Sequence, residues 1–454
     1  MYFHEDLKRS LGQSASQEKW IWIGNIEVEQ HWRDESLITL PGSGISSAQA
    51  LVNQMGEMAL FLADSEDVIC LKTLSDPDFI AYVSELRGDV PQVMVCPAGQ
   101  VGENITESIL QSPELLAALR QKGAEGYKLM PYGTSALEEQ LSAQSQLPLV
   151  TPAAATCMKV NSKIYSRLLA DRTGIRQVPG VAATSLTELE AGFAQMESFL
   201  TQGPLVVKDA MGVSGKGMIL IDSPKRFSDL MKMLRRNAKK RGSEKIAMII
   251  ETWIDKTKDL NYQFLINSDK KVTFITAREA LVRDGVHFGH VYPPQLTEEQ
   301  QRDMHEAVRK IGHFLADDGY YGVVGIDAMV GADGYMYPCL EINARFNMST
   351  FQNRIHQEWM GSDCFFIARP YNIGLKERIT FAKLREALDT LLYHRGDESG
   401  VIIQAFSTLN LEDDQGELRK GRLYTLLVGR SLDECNELSG QIGQILSRFG
   451  SITP

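Results

Sequence analysis

Residues 323–350 constrain the fold of this chain more than any other stretch, because they read as two strands joined by a tight turn. Residues 323–330 are apolar at nearly every position, and 332–334, Ala-Asp-Gly, carry a hairpin signal. Residues 335–342 supply the returning strand. The pattern predicts an antiparallel strand pair around which the rest of the chain is organised.

The polar residues of this strand pair indicate its chemistry. Asp327 interrupts the first strand, and Glu341 and Asn343 end the second strand two positions apart, so strand alternation points the latter two to one face. Three oxygen donors without Cys or His suit a hard cation such as Mg²⁺, partly held by phosphate oxygens. Because acids interrupt apolar strands and Arg345 follows at once, a cation-bound anion site is favoured over solvated acids.

Composition limits the partners. A net charge of -11 without an evident basic patch argues against nucleic acid. The 6 cysteines are scattered, which predicts reduced thiols in a cytoplasmic protein rather than a disulfide framework or a zinc site. No signal-peptide core and no run of about 18 apolar residues are seen, so no membrane segment is expected.

The first region, residues 1–150, alternates predicted strands and helices. Such alternation is typical of a parallel α/β sheet. The predicted strands are 20–24, 37–40, 68–71 and 92–96, and the predicted helices include 46–62 and 107–121.

Residues 41–47, Pro-Gly-Ser-Gly-Ile-Ser-Ser, lie at a predicted strand-to-helix junction with acids about 20 residues further on, as in a dinucleotide fingerprint. Ser47 replaces the third small Gly, however. A tight turn whose amides hold an anionic group of a substrate is therefore preferred, and a nicotinamide dinucleotide site is the alternative.

A second boundary falls near residues 146–157, and a helix follows with Asn161 as its predicted cap. Lys163 stands in its first turn, where a cation opposes the helix dipole unless an anion lies nearby. Taken alone, Lys163 reads as a surface residue, but an anion site would explain it.

Residues 204–209 form a short predicted strand that carries Lys208. The following loop contains Gly212, Gly215 and Gly217, which let backbone amides approach a ligand, and a second strand follows at once. A helix and a GxxxxGK[ST] pattern are both missing, so this is no Walker loop. An ordinary glycine hairpin is the alternative.

Residues 246–251 read as a buried strand that ends in Glu251, followed by a hinge with Trp253 and Ile254. Such a hinge offers backbone groups to the edge of a planar base. Glu251 could accept a hydrogen bond from an exocyclic amine, and Asp259 from ribose hydroxyls, although each acid alone reads as a surface residue.

The order of these motifs resembles the ATP-grasp superfamily of carboxylate-amine ligases over about residues 151–369. The signature ExNxR, from Glu341 to Arg345, is the most diagnostic element. The first region, with Leu-Met-Pro-Tyr-Gly at 129–133, resembles the pre-ATP-grasp domain of the pheganomycin-type peptide ligases.

The resemblance implies a nucleotide site. The lysines would bind the phosphates of ATP, the glycine loop would close over them as a lid, and the hinge would hold the adenosine. The residues implied are, for the phosphates, Lys163 and Lys208; for the lid, Gly212, Ser214, Gly215 and Gly217; for adenine, Glu251, Trp253 and Ile254; and for ribose, Asp259.

The resemblance also implies a metal and catalytic site. Asp327, Glu341 and Asn343 would hold two Mg²⁺ ions, with Mn²⁺ as an alternative, and Arg345 and Lys208 would stabilise the transferring phosphoryl group. Arg278 is the candidate for a second catalytic cation. The candidates for substrate contact are Arg283, His287 and His290, of which His287 is the one to test as a base.

The implied activity is an ADP-forming ligase that joins a carboxylate to an amine through an acyl phosphate. The expected fold is a three-part α/β chain: residues 1–150 as a pre-ATP-grasp domain, 151–371 as the ATP-grasp domain and 372–454 as a small α/β cap. Amino-acid-derived substrates and a homodimer are expected, and a free and a carrier-tethered acceptor both remain open.

Three alternatives stay open at this point. The first is an ATP-dependent carboxylase or another acyl-phosphate-forming enzyme of the same fold. The second is an NAD-dependent oxidoreductase that uses residues 41–47. The third is a nucleotide-binding regulatory module without turnover.

Overall fold

The structure is a computed structural model with mixed α/β architecture. The described residues are 3–12, 18–41, 49–96, 103–212, 217–283, 286–361, 363–412, 418 and 420–453. They build three sheets: one parallel, and two antiparallel of very different size. None of the helices in this part of the chain has the length and apolar character needed to cross a membrane.

The N-terminal region forms a four-stranded parallel sheet, which confirms the predicted parallel α/β arrangement. Its spatial order is β3-β2-β1-β4, and every residue of β1 and β2 is buried, as expected for parallel strands covered on both faces. The strands are β1 (Trp20–Ile23), β2 (Val68–Leu71), β3 (Gln92–Val95) and β4 (Lys128–Pro131). The helices are α1 (Phe3–Leu11), α2 (Gln49–Gln54), α3 (Pro77–Arg87), α4 (Ile105–Leu110), α5 (Pro113–Ala124) and α6 (Ala136–Ser145), with 3-10 helices at Val28–Trp32 and Met55–Phe61.

Some local predictions in this region were wrong. Residues 37–40 form no strand; Ile38 makes a single bridge to Ile246 instead. The helix predicted at 107–121 is two helices, because Ser112 caps α5 and Pro113 cannot continue α4. Of the predicted turn at 41–47, residues 42–47 lie outside the described residues.

The middle region begins with a small antiparallel sheet in the order β5-β8-β6-β7, which has a core of its own. Its elements are α7 (Ala154–Val160), α8 (Lys163–Thr173), β5 (Gly180–Ser185), α9 (Leu186–Met196), β6 (Leu205–Asp209), β7 (Met218–Ile221), α10 (Pro224–Arg241) and β8 (Lys245–Thr252), with a 3-10 helix at Glu197–Thr201.

A nine-stranded antiparallel sheet forms the rest of the molecule. Its order is β13-β12-β9-β10-β11-β14-β16-β15, and β17 pairs with β14. The elements are β9 (Lys256–Ile266), β10 (Val272–Arg283), β11 (Val286–Tyr292), α11 (Glu298–Asp317), β12 (Gly322–Gly331), β13 (Met336–Asn343), α12 (Asn353–Trp359), β14 (Phe365–Leu375), α13 (Phe381–Leu388), β15 (Gly400–Ala405), β16 (Gly421–Gly429), α14 (Leu432–Leu446) and β17 (Gly450–Thr453), with 3-10 helices at Met348–Gln352 and Asp389–Leu391.

The large sheet is continuous across the expected boundary at residue 371. Strand β14 runs through that position, and β15, β16 and β17 extend the sheet that β9 to β13 begin. The C-terminal strands therefore share one surface with the strands that carry Asp327 and Glu341. The division of the chain into three domains stays a prediction.

Candidate active site

Two carboxylates face each other at the edge of the large sheet. Asp327 on β12 is the register partner of Glu341 on β13, and Asn343 pairs with Gly325 two positions away. The Asp327 carboxylate accepts hydrogen bonds from Asn343 Nδ2 at 3.1 Å and from Asn261 Nδ2 at 2.9 Å. The three side chains predicted to converge thus lie together, and Asn261 on β9 helps to orient Asp327.

The two carboxylates repel each other in a poorly solvated place. They border a cavity, yet the surrounding protein raises the pKa of both, mainly by desolvation, and Asp327 raises the pKa of Glu341 further. In the described part of the chain, no three His, Cys, Asp or Glu side chains are grouped closely enough to hold a metal. Two acids and an amide next to phosphate oxygens are nevertheless a donor set that fits Mg²⁺.

Lys163 connects the acids to the glycine loop. It is the first residue of α8 and is 9% exposed. Its ammonium contacts the Glu341 carboxylate and donates to the Gly212 carbonyl oxygen at 2.7 Å. Its backbone N–H donates to Ala210 O at 3.0 Å, so both ends of the residue bind the segment after β6.

Asn161 does not cap α8, contrary to the prediction. Ser162 holds the cap position without a side-chain hydrogen bond. The Asn161 side chain instead accepts from the backbone N–H of Ala344 at 2.8 Å, next to Arg345. The residue therefore joins the start of α8 to the end of β13, which positions Lys163 beside Glu341.

Lys208 and Glu251 form an ion pair between neighbouring strands. Lys208 on β6 contacts one oxygen of Glu251 on β8, and Arg167 Nη1 lies 3.4 Å from the other oxygen. Gly180 lies against this group: a Cβ there would stand 2.8 Å from Arg167 Nη1. Two cations thus hold the Glu251 carboxylate. Its position at the cavity wall is therefore fixed.

The glycine loop is described at its two ends. Ser214 and Gly215 lie outside the described residues, whereas Gly212 and Gly217 border the cavity. Gly217 has φ +72, and a Cβ there would lie 2.9 Å from Asp209 Oδ2. Asp209 also accepts from Leu40 N at 3.0 Å, and burial raises its pKa to about 6.

Arg345 is held by both the large sheet and the N-terminal region. Its guanidinium pairs with Glu29 and donates to Asn343 Oδ1 at 2.9 Å and to Phe346 O at 2.8 Å. Burial alone would lower the pKa of Arg345, but the charge and hydrogen bond of Glu29, together with Tyr132 and Glu341, more than offset this, so the pKa is raised. A hydrogen bond from Phe346 N to Tyr132 O, 3.0 Å, fixes the two regions against each other.

These groups line one cavity of about 420 Å³. Its wall contains the two lysines, the acids and Arg345, together with an apolar slot. The predicted site residues that line it are Lys163, Lys208, Gly212, Gly217, Glu251, Trp253, Asp259, Asp327, Glu341, Asn343 and Arg345; the apolar slot is formed by Met218, Ile249, Trp253, Leu260 and Leu340. Lys256 Nζ, 2.7 Å from Asp259 Oδ1, lies at the same wall.

Two predicted residues do not reach this cavity. Ile254, next to the cavity residue Trp253, does not line it. Arg278 is 0% exposed: its guanidinium contacts Gln352 and donates to Asn353 Oδ1 at 2.7 Å, above the ring of Phe366. Burial lowers the pKa of Arg278 to about 9. In this position Arg278 supports the sheet behind the cavity, and its catalytic role stays a prediction.

A second cavity of about 490 Å³ adjoins the first. Both cavities are lined by Arg345, and they share further side chains around it. We call this shared wall the junction; its residues are Glu29, Tyr132, His287, His290, Arg345 and Met348.

The two junction histidines contact each other. His287 Nε2 lies 3.2 Å from His290 Nε2. Desolvation lowers the pKa of both rings, although His287 is open to cavity space and His290 is 6% exposed. Both rings are therefore neutral near pH 7. The third residue predicted for substrate contact, Arg283, has a side chain outside the described residues.

Sequence reasoning missed several groups at this site. Glu29 and Tyr132 come from the N-terminal region, and Asn261 and Asp209 from strands of the middle region. A signal existed for Asn261 and Asp209, which are polar residues in or at the end of apolar strands. The sequence carries no such signal for Glu29, because Glu29 follows a short loop and its partner, Arg345, is 316 positions away.

Two family models match this chain. Residues 55–147 match a pre ATP-grasp domain. Residues 184–343 match a model described as L-aspartate–L-methionine ligase, ATP grasp. The first match covers most of the parallel sheet. The second runs from the small sheet to the end of β13 and includes Lys208, Glu251 and both cavity acids.

Known proteins resemble the chain over most of its length. The [butirosin acyl-carrier protein]–L-glutamate ligase of Niallia circulans is 24% identical over 334 residues, 73% of this chain and 73% of that protein. The ADP complex of PurK, an N5-carboxyaminoimidazole ribonucleotide synthetase, has a TM-score of 0.55 at 14% identity and covers 96% of this chain and 98% of its own.

A carboxylase domain shows the same fold. The biotin carboxylase domain dimer of Hydrogenobacter thermophilus 2-oxoglutarate carboxylase, in complex with MgADP, ADP and bicarbonate, has a TM-score of 0.55 at 13% identity. It covers 96% of this chain and 90% of its own. At such identities the solved structures establish the fold alone.

Proposed function

We propose that this chain, an ATP-grasp ligase with a pre-ATP-grasp domain, joins an amino-acid-derived carboxylate to an amine and releases ADP and phosphate. The observation that carries the proposal is the single cavity of about 420 Å³ in which two lysines, Arg345 and two carboxylates surround one space. These groups come from distant parts of the sequence. Their arrangement around one space suits a bound polyphosphate, whose charge the cations and a metal ion held by the acids would neutralise.

Nucleotide binding is proposed for the cavity wall nearest the small sheet. The apolar slot with Ile249 and Leu340 suits a flat base, and Glu251, fixed by Lys208 and Arg167, accepts from its exocyclic amine. Asp259 accepts from the ribose hydroxyls. Lys163 and Lys208 then exchange part of their carboxylate contacts for phosphate oxygens, as point charges.

Asp327, Glu341 and Asn343 are proposed as ligands for Mg²⁺, two ions by analogy and with Mn²⁺ as an alternative. The fit rests on the two facing carboxylates and the amide beside them, an oxygen donor set that suits a hard cation. A cation between the acids would also offset the burial that raises the pKa of both and the charge of Asp327 that raises the pKa of Glu341. The bound metal would neutralise phosphate charge during transfer. Asn261 and Asn343 would keep Asp327 oriented for this role.

Arg345 is proposed to stabilise the phosphoryl group and the oxyanion of the following step. A carboxylate does not react with an amine at neutral pH, because oxide is a poor leaving group. Once the carboxylate carries phosphate, the amine nitrogen forms the new bond to carbon, the bond from carbon to the phosphate oxygen breaks, and the amine loses a proton. His287, neutral and at the junction, is the proposed acceptor of that proton.

The substrate class is proposed from the relatives. The family model is described as joining aspartate and methionine, and the Niallia circulans relative acts on an acyl-carrier protein with glutamate. Amino-acid-derived donors are therefore proposed for this chain, and a free and a carrier-tethered acceptor are both compatible with the family. A homodimer is also proposed, which light scattering of the purified chain tests.

The decisive experiment is a hydroxylamine trap. The purified chain is incubated with ATP, Mg²⁺, hydroxylamine and each of the amino acids, and phosphate and hydroxamates are measured. We expect phosphate release and a hydroxamate with at least one amino acid. Phosphate release that requires bicarbonate and yields no hydroxamate would instead identify a carboxylase, and release independent of any carboxylate would contradict both.

A further inference from the structure

The second cavity lies between the N-terminal region and the C-terminal strands. Its floor is one face of the large sheet: His290 pairs with Ala368, and Pro370 pairs with Tyr424. Arg422 is two residues from Tyr424 on β16 and therefore projects from the same face. A residue of the junction, His290, and a cation of the C-terminal strands thus stand on one continuous surface.

Arg422 differs from the other arginine of this cavity wall, Arg345, in its partners. Arg345 pairs with Glu29, whereas Arg422 Nε donates to Asn372 Oδ1 at 2.8 Å and Nη1 to Tyr424 OH at 3.3 Å. These partners in the described part of the chain are neutral. A half-buried guanidinium fixed by neutral groups at the wall of a cavity is suited to bind a carboxylate of a ligand.

Arg369 does not share this role, although it also borders the cavity. It pairs with Thr425, so its side chain leaves the opposite face of the sheet. There its Nη1 donates to Ser439 Oγ of α14 at 2.9 Å, and its guanidinium lies 4.9 Å from the Tyr371 ring centroid. The positive charge on the cavity side of β14 and β16 therefore belongs to Arg422.

The roof of the cavity is apolar. It is formed by α2 and the 3-10 helix that follows, with the side chains Leu51, Val52, Met55 and Met58. Tyr424 from the floor reaches the roof, since its hydroxyl lies 3.5 Å from Met55 Sδ. A ligand in this cavity is thus enclosed by thioether and aliphatic groups, which favour an apolar side chain.

The two ends of the cavity differ in their polar groups. At the junction Glu29 pairs with Arg345 beside the neutral rings of His287 and His290, and Glu27 also borders the second cavity. Arg422 stands away from the junction. This arrangement suits a ligand with a carboxylate for Arg422 and an amine for the hydrogen-bond acceptors at the junction.

We propose that the second cavity binds the acceptor of the ligation as an amino acid or short peptide with an apolar side chain and a free carboxylate. Its amine faces the junction, its side chain packs under the roof and its carboxylate pairs with Arg422. The inference rests on the proposed ligase function, since it assigns the amine-bearing partner of that reaction. Arg422 acts as a specificity residue and does not touch the reacting atoms.

The sheet geometry favours an extended acceptor. Arg422 lies two strands away from His290 and four residues along β16 from Leu426, which is in line with His290. For ordinary strand spacing and rise the Cα atoms of His290 and Arg422 are therefore about 16 Å apart. Both side chains leave the same face of the sheet, so they cover only part of this gap. A dipeptide or a longer ω-amino acid spans the remainder better than a single α-amino acid does.

The test compares acceptors that differ only in charge at the carboxylate end. With the donor found by the hydroxylamine trap, Met, Leu and Phe, and their dipeptides, are each supplied as free acid and as C-terminal amide. We expect the wild type to use a free acid with a KM roughly 10- to 100-fold below that of its amide. This part of the test needs no variant.

Arg422→Gln then assigns the charge recognition to one side chain. It should raise the KM of the free acid by the same factor, leave the KM of the amide unchanged and leave hydroxamate formation intact. Arg430→Gln, a change at an exposed ion pair, is the matched control. Arg422→Lys should keep part of the affinity for the free acid, which a purely structural role would not predict.

The outcomes separate the two proposals. If the wild type forms no hydroxamate with any donor, the ligase function itself fails. If hydroxamates form but no free acid is joined, if acids and amides are used equally, or if Arg422→Gln leaves the KM of the acid unchanged, the assignment of the second cavity is overturned while the ligase function stands.

Discussion

The two cavities that meet at Arg345 are of similar size but differ in how their charges are balanced. In the first cavity the cations already have carboxylate partners: Lys163 with Glu341, Lys208 with Glu251 and Arg345 with Glu29. In the second cavity the described partners of Arg422 are neutral. The first wall is thus a set of paired charges, whereas the second cavity combines an apolar roof with Arg422, a cation whose described partners are neutral.

This difference matches two tasks. A site that handles a polyphosphate and a metal needs many charges, and ion pairs within the protein keep them fixed when no ligand is bound. A site that selects an amine-bearing molecule needs shape, apolar surface and one or two oriented charges. Changes in the first cavity should therefore affect every substrate, whereas changes in the second should depend on the acceptor.

The largest effect is expected from Glu341→Gln. The substitution keeps the shape but removes a charge that contacts Lys163 and that is proposed to hold Mg²⁺. We expect hydroxamate formation and ligation to fall together by about 10²- to 10³-fold or more, with thermal unfolding close to wild type. Glu377→Gln, at an exposed ion pair with Lys383, is the control and should keep full activity. Retained activity in Glu341→Gln would refute the metal assignment.

Glu29→Gln tests the junction and should have an effect of intermediate size. Glu29 holds Arg345 through its charge, and an amide would keep one hydrogen bond while losing the ion pair. Because Arg345 borders both cavities, the kcat of hydroxamate formation and of ligation should both fall by about 10- to 100-fold, with donor KM nearly unchanged. A change limited to the acceptor KM would place Glu29 with the second cavity alone.

The same contrast explains what could be predicted from the sequence. Lys208, Glu251, Asp327 and Glu341 interrupt or end apolar strands, so the alternation of side chains along each strand is enough to mark them as a polar group within an apolar sheet. The parallel N-terminal sheet was also predictable from its alternating elements.

Sequence patterns carry less information where a long-range partner decides the surroundings of a side chain. Arg278 shares the polar-in-strand signal of Asp327, but Gln352 and Asn353 enclose it in the core. Arg422 gave no signal, because its position depends on the register between β14 and β16, and that register is set by pairing across 50 residues of chain. The second cavity was therefore invisible in the sequence.

Leu51→Ala tests the apolar roof of the second cavity. Leu51 lines this cavity and not the first, and the smaller side chain removes surface that an apolar acceptor would cover. We expect the acceptor KM to rise by several-fold to about 10-fold for Leu, Met or Phe side chains, with hydroxamate formation unchanged. Leu74→Ala, at a position 71% exposed, is the matched control. An equal loss of hydroxamate formation would mean that the roof serves the donor.

The smallest effect concerns pH, and it distinguishes the cavities because Asp209 borders the first and not the second. Burial raises the pKa of Asp209 from 3.8 to about 6, against the opposing effects of Leu40 N, Arg33 and Lys163. The folded state therefore favours the protonated acid, so the stability that Asp209 contributes is present below about pH 4 and is lost as pH rises to about 6.

Asp209→Asn keeps the acceptor for Leu40 N but cannot ionise. The free energy of unfolding of the wild type minus that of the variant should fall by on the order of 2 kcal/mol between pH 4 and 7, measured by urea titration at each pH. A difference that does not change with pH would mean that Asp209 titrates as an ordinary carboxyl and that the wall of the first cavity is better solvated than its burial indicates.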